Sequence, residues 1–118
     1  MSILMDTREP DGIAFELQRL KVPIERKQLE VGDYIVGDIA VERKAMEDFR
    51  NSIINGRVWE QVGNLKDNYE RALVFIIGFY PDPKDYKLYP YFLQLMGGTF
   101  GLALGYNLPV IVLPTDQI

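Results

Sequence analysis

Two short β-rich runs separated by two residues constrain this chain more than any other feature of its sequence. Residues 34–36 (YIV) and 39–41 (IAV) flank a single Gly-Asp dipeptide. Two-residue loops that contain glycine are typical of the turns that close β-hairpins. If this dipeptide is such a turn, extending the strand pairing by one step places Asp33 opposite Glu42. The pattern therefore predicts a hairpin that brings two carboxylates together.

Helix-type spacing of apolar residues alternates with continuous apolar runs along the rest of the chain. The expected helices cover about residues 13–20, 45–54, 57–69 and 91–106, and a Pro- and Asp-rich loop covers residues 80–89. The expected strands outside the hairpin cover about residues 3–5, 22–29, 72–79 and 110–113. Glycines in the last helix favour close packing against its neighbours, and Trp59 is expected to pack in the core. A hairpin followed by alternating helices and strands predicts an α/β fold with a mixed central sheet flanked by helices.

The composition narrows the chemistry that this chain can carry out. The sequence contains no cysteine and no histidine, which excludes disulfides, thiolate metal sites and a Ser-His-Asp triad. Any catalysis must therefore use carboxylates, lysine, arginine, tyrosine or a bound metal. A length of 118 residues, of which 47 % are hydrophobic, suits one compact domain with a substantial core.

The charge balance bears on partners and location. The formal net charge is -4 and the isoelectric point is about 4.8, whereas proteins that hold nucleic acid by charge alone are usually basic. An acidic chain can still carry a local basic face. The sequence shows neither a basic and apolar leader nor an apolar stretch of about 18 residues. We therefore expect an intracellular protein without a membrane partner, cytoplasmic in a prokaryote or nuclear in a eukaryote.

Asp33 and Glu42 form the centre of a candidate metal site. Opposed residues on a hairpin have Cβ atoms about 5 Å apart, and two like charges there are destabilising unless a cation neutralises them. Lys44 shares the face of Glu42 because side chains alternate along a strand. Mg²⁺ binds one or two carboxylates together with water and phosphate oxygens, so the pattern favours phosphodiester hydrolysis with Lys44 helping to activate water. Asp6, at the end of the first expected strand, is a candidate third ligand, and Arg8 is a candidate phosphate contact.

A simpler interpretation stays open on spacing alone. Most charged residues on a hairpin form a solvated face without further function. Asp33 could be a turn residue because it follows a glycine, and Asp6 could cap a loop or a helix. The run Glu42-Arg43-Lys44 weighs against this interpretation, because three consecutive charges directly after an apolar strand are costly unless they serve a purpose.

The segment GDYIVGDIAVERKAMED, residues 32–48, resembles the signature of the XPF family of structure-specific endonucleases. That signature is Gly-Asp, a variable hairpin, Glu-Arg-Lys, three residues and Asp. The corresponding residues here are Gly32-Asp33, Glu42-Arg43-Lys44 and Asp48. Two further segments resemble the family's Asp-x-Arg-Glu and Gly-Arg…Gln patterns, namely Asp6-Thr7-Arg8-Glu9 and Gly56-Arg57 with Gln61. The resemblance keeps the family's order from residue 6 to residue 61.

The resemblance implies a restriction-endonuclease-like three-layer core with a mixed sheet. It also implies Mg²⁺- or Mn²⁺-dependent cleavage of branched DNA near a duplex/single-strand junction, at 3′ flaps or forks, in DNA repair or recombination. By motif position, the implied metal ligands are Asp33, Glu42, the backbone carbonyl of Arg43, and Asp6. The implied catalytic residues are the same three carboxylates and Lys44, and Arg43 and Asp48 would support the site. Arg8, Arg57 and Gln61 would contact DNA or orient other site residues.

The resemblance also sets expectations for domains and partners. Residues 1–118 are expected to form one XPF-type nuclease domain without the helix-hairpin-helix module that usually follows it in the family. Branched DNA is the expected partner. The family pattern also allows pairing with an identical or related subunit, and the acidic chain leaves room for a basic DNA-binding or clamp partner.

Two other functions compete with an active nuclease. The first is a catalytically silent DNA-binding or scaffold partner of an active nuclease. Such partners lose acidic or lysine positions of the signature, all of which are kept here. The second is a phosphohydrolase for small phosphates, which a deep closed pocket would favour, whereas an open groove beside the hairpin would favour DNA.

Overall fold

A mixed sheet of six strands organises the residues that the structure describes. This computed structural model describes residues 2–78 and 96–113, with residue 113 through its backbone alone. The strands are β1 Ile3–Asp6, β2 Ile24–Lys27, β3 Tyr34–Val36, β4 Ile39–Ala45, β5 Arg71–Ile77 and β6 Val110–Leu113. The helices are α1 Asp11–Arg19, α2 Met46–Ile54 and α3 Arg57–Asn68. Residues 96–100 are also helical and continue as the π-helical turn Gly101–Gly105, and we call residues 96–105 the glycine-rich helix.

The direction of the strands decides where the candidate residues meet. The strand order is β2-β1-β3-β4-β5-β6, and β3 runs antiparallel to both β1 and β4. The pairs β1–β2, β4–β5 and β5–β6 are parallel. The carboxyl ends of these five strands therefore share one edge of the sheet with the amino end of β3. Asp6, which ends β1, and Asp33, which precedes β3, meet at this edge, and the last residues of β4 extend towards it.

The β3–β4 hairpin has the register that the sequence predicts. Tyr34 lies opposite Val41, and Val36 lies opposite Ile39. Of the two turn residues, only the first, Gly37, has a left-handed φ, at 64°. This conformation is the one that a type II′ turn requires, and it explains why glycine stands at that position.

The predicted position of Asp33 needs a correction of one residue. The paired ladder ends at Tyr34 and Val41, so it does not reach Glu42. The N–H of Asp33 instead donates to the carbonyl of Val41, at 2.8 Å. The preceding Gly32 has a left-handed φ of 86°, which turns the chain as it enters β3. Asp33 is therefore offset from the place directly opposite Glu42.

Two apolar layers cover the two faces of the sheet. On one face, α2, α3 and the glycine-rich helix pack against residues that include Ile35 and Ala40. On the other face, α1 contributes the buried Ala14 to a smaller cluster with Met5 and Val41. The helices therefore form a layer on each side of the sheet, which confirms the predicted three-layer α/β fold.

The glycines of the last helix allow it to lie close to α2 and α3, as the sequence predicts. A Cβ atom built on Gly98 would collide with Ile53, and one built on Gly101 would lie 2.7 Å from the Trp59 ring. Trp59 stacks on Tyr106 with ring centroids 5.8 Å apart and packs against the larger core, as predicted. Small residues are therefore needed where this helix crosses its neighbours.

The described elements differ from the sequence-based bounds mainly at their ends. The strand expected over residues 22–29 spans only Ile24–Lys27, because the N–H of Leu29 is diverted to the Asp6 carboxylate. The helix expected over residues 91–106 is helical from 96 to 105, and its first five residues lie outside the described ranges. The loop expected over 80–89 and residue 79 also lie outside them. Among the described helices, none has the length and apolar character needed to cross a membrane.

Alanine substitutions at two helical glycines should have opposite effects on stability. At Gly101 the added methyl would press on the Trp59 ring, 2.7 Å away, and overpacking of this kind costs about 1–3 kcal/mol. At Gly63, inside α3, no atom lies within 4 Å of the added methyl, so alanine should increase the free energy of unfolding by about 0.5–1 kcal/mol. Urea unfolding of both variants measures the difference. If Gly101→Ala were as stable as Gly63→Ala, the close crossing of the helices would be refuted.

Candidate active site

Asp33 is held by its backbone and its side chain where three strands reach the edge of the sheet. Its carbonyl accepts a hydrogen bond from the Asp6 N–H at 2.9 Å, and its N–H donates to Val41 of β4. One carboxylate oxygen, Oδ2, accepts the N–H of Arg43 at 2.7 Å. These contacts fix the carboxylate against β4, whereas a simple turn residue would bond within its own turn.

Glu42 and Lys44 project from one face of β4, as the sequence predicts. They lie two and four residues after Ala40 and therefore on the same face of the strand as Ala40. Ala40 is fully buried in the core formed with α2 and α3. Glu42 and Lys44 are both half-buried, at the margin of that core. An ammonium and a carboxylate therefore lie side by side where the apolar layer ends.

The pKa values of the two central carboxyls are raised. Burial, with the neighbouring charges of Asp33 and Glu9, raises the pKa of Glu42 to about 7, against the lowering effect of Lys44. Burial also raises the pKa of Asp33 to about 6, although the hydrogen bond from the Arg43 N–H lowers it. Both carboxyls thus keep a proton to higher pH than an ordinary carboxyl, Glu42 more so than Asp33. A cation placed between them would favour their ionised forms.

Asp6 occupies the same edge but is engaged in another set of contacts. The residue is 2 % exposed, and its carboxylate accepts hydrogen bonds from Arg8 Nε at 2.8 Å, from the Arg8 N–H at 3.1 Å and from the Leu29 N–H at 2.8 Å. The side-chain hydrogen bond from Arg8, followed by that from the Leu29 N–H, lowers the pKa of Asp6 to about 2. Asp6 is therefore an ionised anchor for Arg8, whose side chain remains 73 % exposed.

The carboxylates expected as metal ligands do not form a ready-made cage. Within residues 2–78 and 96–113, no three acidic side chains are arranged as a metal-binding group. Asp33 and Glu42 fit a hard divalent cation on other grounds. They are half-buried carboxyls that could supply oxygen ligands, and a cation would relieve the unfavourable charge that raises their pKa values. The residues therefore fit a site completed by water, phosphate or backbone oxygens.

Glu9 has a role in the site that the sequence analysis did not assign. Its Oε2 accepts hydrogen bonds from the Tyr34 hydroxyl at 2.9 Å and from Arg43 Nε at 2.7 Å. The side chains of Glu9 and Arg43 are only 9 % and 18 % exposed, so the ion pair is well shielded from solvent. The Asp-x-Arg-Glu segment was the only sign of this role in the sequence. The partners of Glu9 lie on β3 and β4, and the sequence does not show that these strands lie beside the loop.

The remaining predicted residues lie on α2 and α3. Asp48 is exposed in the first turn of α2. Arg57 begins α3, and Gln61 follows one turn later; both are exposed. The backbone N–H of Arg57 bonds to Asn55 Oδ1 at 3.0 Å. The described contacts do not join Asp48, Arg57 or Gln61 to Asp33, so their roles stay predictions.

Removing the Glu42 carboxylate should flatten the pH dependence of stability in the metal-free protein. A carboxyl whose pKa is raised on folding stabilises the fold fully below its unfolded pKa, about 4, and loses that contribution as the pH rises through its folded value. The folded values are about 6 for Asp33 and about 7 for Glu42. The free energy of unfolding in EDTA should therefore fall by roughly 2–4 kcal/mol between pH 5 and pH 8. Glu42→Gln should show a smaller fall.

Urea unfolding at several pH values checks this expectation. Glu70→Gln serves as the control, because Glu70 is exposed and directly precedes β5, at the end of that strand away from the site. It should keep the slope of the unsubstituted protein. Identical slopes in Glu42→Gln and Glu70→Gln would show that Glu42 does not carry the raised pKa.

A family model, sequence relatives and a solved structure all relate this chain to the same family. The ERCC4 domain matches residues 5–93 of this chain. A protein of Methanocaldococcus jannaschii named as an ATP-dependent RNA helicase is 43 % identical over 79 residues, which cover 66 % of this chain and 10 % of that protein. The 3′-flap repair endonuclease Xpf of Saccharolobus solfataricus is 32 % identical over 74 residues, covering 62 % of this chain and 32 % of that protein.

A solved structure agrees in fold. XPF from Aeropyrum pernix in complex with DNA superposes with a TM-score of 0.84 and 30 % identity, covering 98 % of this chain and 57 % of that chain. The chain thus spans about a tenth to a third of the two sequence relatives and somewhat over half of the solved structure. The domain match, the sequence relatives and the superposition agree with the mixed sheet and its helices, and this chain belongs to the XPF family of ERCC4 nuclease domains, with their restriction-endonuclease-like fold.

Proposed function

We propose that this chain is the nuclease domain of a metal-dependent, structure-specific DNA endonuclease. Its reaction would be hydrolysis of a phosphodiester near a duplex/single-strand junction, at a 3′ flap or fork, in DNA repair or recombination. The observation that carries the proposal is the meeting of Asp33, Glu42 and Lys44 at one edge of the sheet. The name of the Saccharolobus relative supports the flap substrate, and the DNA-bound Aeropyrum structure supports DNA as the partner.

Asp33 and Glu42 are the proposed ligands of Mg²⁺ or Mn²⁺. The carbonyl of Arg43 is a third proposed ligand, because the N–H and carbonyl of a strand residue point to the same side, and the Arg43 N–H points to Asp33. When bound, the metal would supply Lewis-acid activation of the phosphate and of a water. Asp6 could join the ligands only by exchanging a hydrogen bond from Arg8, so we propose that it acts as the more distant acidic member.

Lys44 is the proposed positioning group for the attacking water. Lys44 is half-buried on the face of Glu42, and its charge acts on that carboxyl. An ammonium donates but cannot accept hydrogen bonds. Lys44 would therefore hold the water through the water oxygen and stabilise the negative charge that develops on the phosphate oxygens.

The proposed DNA contacts lie around this centre. Arg8 is anchored to Asp6 by its Nε and remains largely exposed, which suits a guanidinium that meets a phosphate. Arg57 and Gln61, one turn apart on α3, would meet the duplex. Arg43, through its ion pair with Glu9, and Asp48 would support the site. A local set of contacts of this kind is compatible with an acidic chain.

Further partners and the location belong to the same proposal. Pairing with an identical or related subunit, and help from a basic DNA-binding or clamp protein, would supply duplex grip to a chain of net charge -4. A DNA-repair nuclease would act inside the cell, in the cytoplasm of a prokaryote or the nucleus of a eukaryote. A catalytically silent scaffold is the competing function, and the retained acidic and lysine positions favour activity over it.

Two substitutions test the site itself. Glu42→Gln removes a proposed ligand, and Lys44→Ala removes the ammonium, so each should reduce cleavage of flap DNA by at least about 100-fold while the fold is kept. Glu70→Gln and Lys66→Ala are the matched controls, because both residues lie outside the site. Cleavage is measured with Mg²⁺ or Mn²⁺, and circular dichroism checks the fold. Full activity in either site variant would refute the assignment.

Substrate preference tests the proposed reaction. The protein should cleave flap and fork DNA in Mg²⁺ or Mn²⁺ and fail to cleave in EDTA, whereas linear duplex should be cleaved more slowly. Equal cleavage of flap, fork and linear DNA would keep the nuclease and contradict the junction specificity. Binding of flap DNA without EDTA-sensitive cleavage of any substrate would favour the scaffold function.

A further inference from the structure

We propose that Arg26 of β2 is a positioning residue that sets the loop carrying Arg8 and Glu9 into the site. The loop, residues 7–10, joins β1 to α1. Arg26 belongs to none of the motif segments that resemble the family. The inference rests on the proposed function, because Arg8 is there a phosphate contact, and it extends that function to a residue on an edge strand.

The contacts of Arg26 are unusual for a residue on an exposed edge strand. Its Nη1 donates to the carbonyl of Glu9 at 2.9 Å and lies 3.4 Å from the carbonyl of Thr7. Its Nη2 donates to Asp11 Oδ1 at 2.5 Å. The two carbonyls stand on either side of Arg8. One guanidinium thus ties the backbone before and after Arg8 to β2.

The site side of the loop is fixed by separate contacts. The Glu9 N–H donates to the Asp6 carbonyl at 3.1 Å, and the Arg8 side chain donates to the Asp6 carboxylate. The Glu9 carboxylate holds Arg43 Nε. Asp6 thus holds the Arg8 side chain and the N–H groups of the loop, whereas Arg26 holds the carbonyls of Thr7 and Glu9. Without Arg26 the loop keeps its bonds to Asp6 but loses the restraint on these two carbonyls, which helps to fix the direction of the side chains.

We expect the hydrogen bonds from Arg26 to the loop carbonyls, rather than its ion pair with Asp11, to position the loop. Asp11 is 84 % exposed and Arg26 is 33 % exposed, and exposed ion pairs contribute little because water and salt screen them. Hydrogen bonds from a charged donor to backbone carbonyls are stronger, and a planar guanidinium can reach two acceptors at fixed angles. A lysine has the same charge but lacks this fork. Arg26→Lys should therefore only partly replace arginine, and Asp11→Asn should have little effect.

Steady-state cleavage of a 3′ flap in Mg²⁺ measures the functional consequence. Arg26→Ala should lower kcat about 10-fold, because small misplacements of an orienting group cost one to two orders of magnitude in rate. KM should change less than about 3-fold, since other DNA contacts remain. Arg26→Lys should fall between Arg26→Ala and the unsubstituted protein. Arg19→Ala is the control, because Arg19 also forms an exposed ion pair, with Glu16 of α1, but contacts no loop carbonyl in the described part of the chain.

A double substitution separates positioning from general stability. If Arg26 acts through Arg8, then Arg26→Ala should cause little further loss of kcat in an Arg8→Ala background. A merely structural role would lower kcat by the same factor in both backgrounds. Independent, multiplicative losses would overturn the proposal. If Arg26→Ala fails to fold, Arg26→Lys supports the same comparison.

Hydrogen exchange provides a readout that does not need activity. The N–H groups of Arg8 and Glu9 are bonded to Asp6 and should exchange at least about 5-fold faster in Arg26→Ala than in Arg19→Ala, because the loop opens more often. Amides of β4 should keep their rates in both variants. Unchanged exchange at residues 8 and 9 would refute the positioning role. Absence of cleavage by the unsubstituted protein would refute the proposed function instead, and the exchange result would still decide the role of Arg26.

Discussion

The three backbone and side-chain bonds of Asp33 join the fold of this chain to its candidate chemistry. The Asp33 N–H donates to β4, its carbonyl accepts from β1, and its carboxylate accepts the Arg43 N–H. The same residue therefore closes the sheet at its edge and presents a carboxylate oxygen there. The left-handed φ at Gly32 allows the chain to enter this position. A displacement of Asp33 would disturb strand pairing and site geometry together, so the site cannot change independently of the sheet.

The electrostatic cost of this arrangement is distributed over both faces of the sheet. On the face of α2 and α3, Lys44 offsets part of the repulsion at Glu42, whose pKa is nevertheless raised to about 7 by burial and by neighbouring carboxylates. On the face of α1, the charge of Arg43 is matched by Glu9 at 2.7 Å. The charge of Arg43 is thus balanced by Glu9 within the fold, whereas the charges of Asp33 and Glu42 are only partly balanced. Such a pair of carboxyls destabilises the metal-free protein near neutral pH, and a bound cation would remove this destabilisation.

The hairpin and its register were predictable because they depend on local rules, namely a two-residue turn and the alternation of side chains. The one-residue offset of Asp33 was not predictable, because it arises when one carbonyl, that of Val41, accepts the N–H of a residue outside the ladder. The engagement of Asp6 was also hidden, since it needs an amide 23 residues further along the chain, that of Leu29. Sequence patterns identified Asp6, Asp33 and Glu42 at this edge but not the role of Glu9. Only the packed structure decides which of them is already satisfied.

Net charge is a poor guide to partners for a chain built in this way. The value of -4 counts Asp33 and Glu42 as fully ionised, although their pKa values are raised to about 6 and about 7. Under the proposed function, a DNA strand approaching this edge would meet the exposed guanidinium of Arg8 and a divalent cation held by Asp33 and Glu42. Without the cation, two partly ionised acids would face the phosphate. Metal and DNA would therefore each increase the affinity for the other, by the reciprocity that governs linked binding. Under the proposed function, the acidic composition would not exclude nucleic acid as a partner but would make DNA binding depend on the metal.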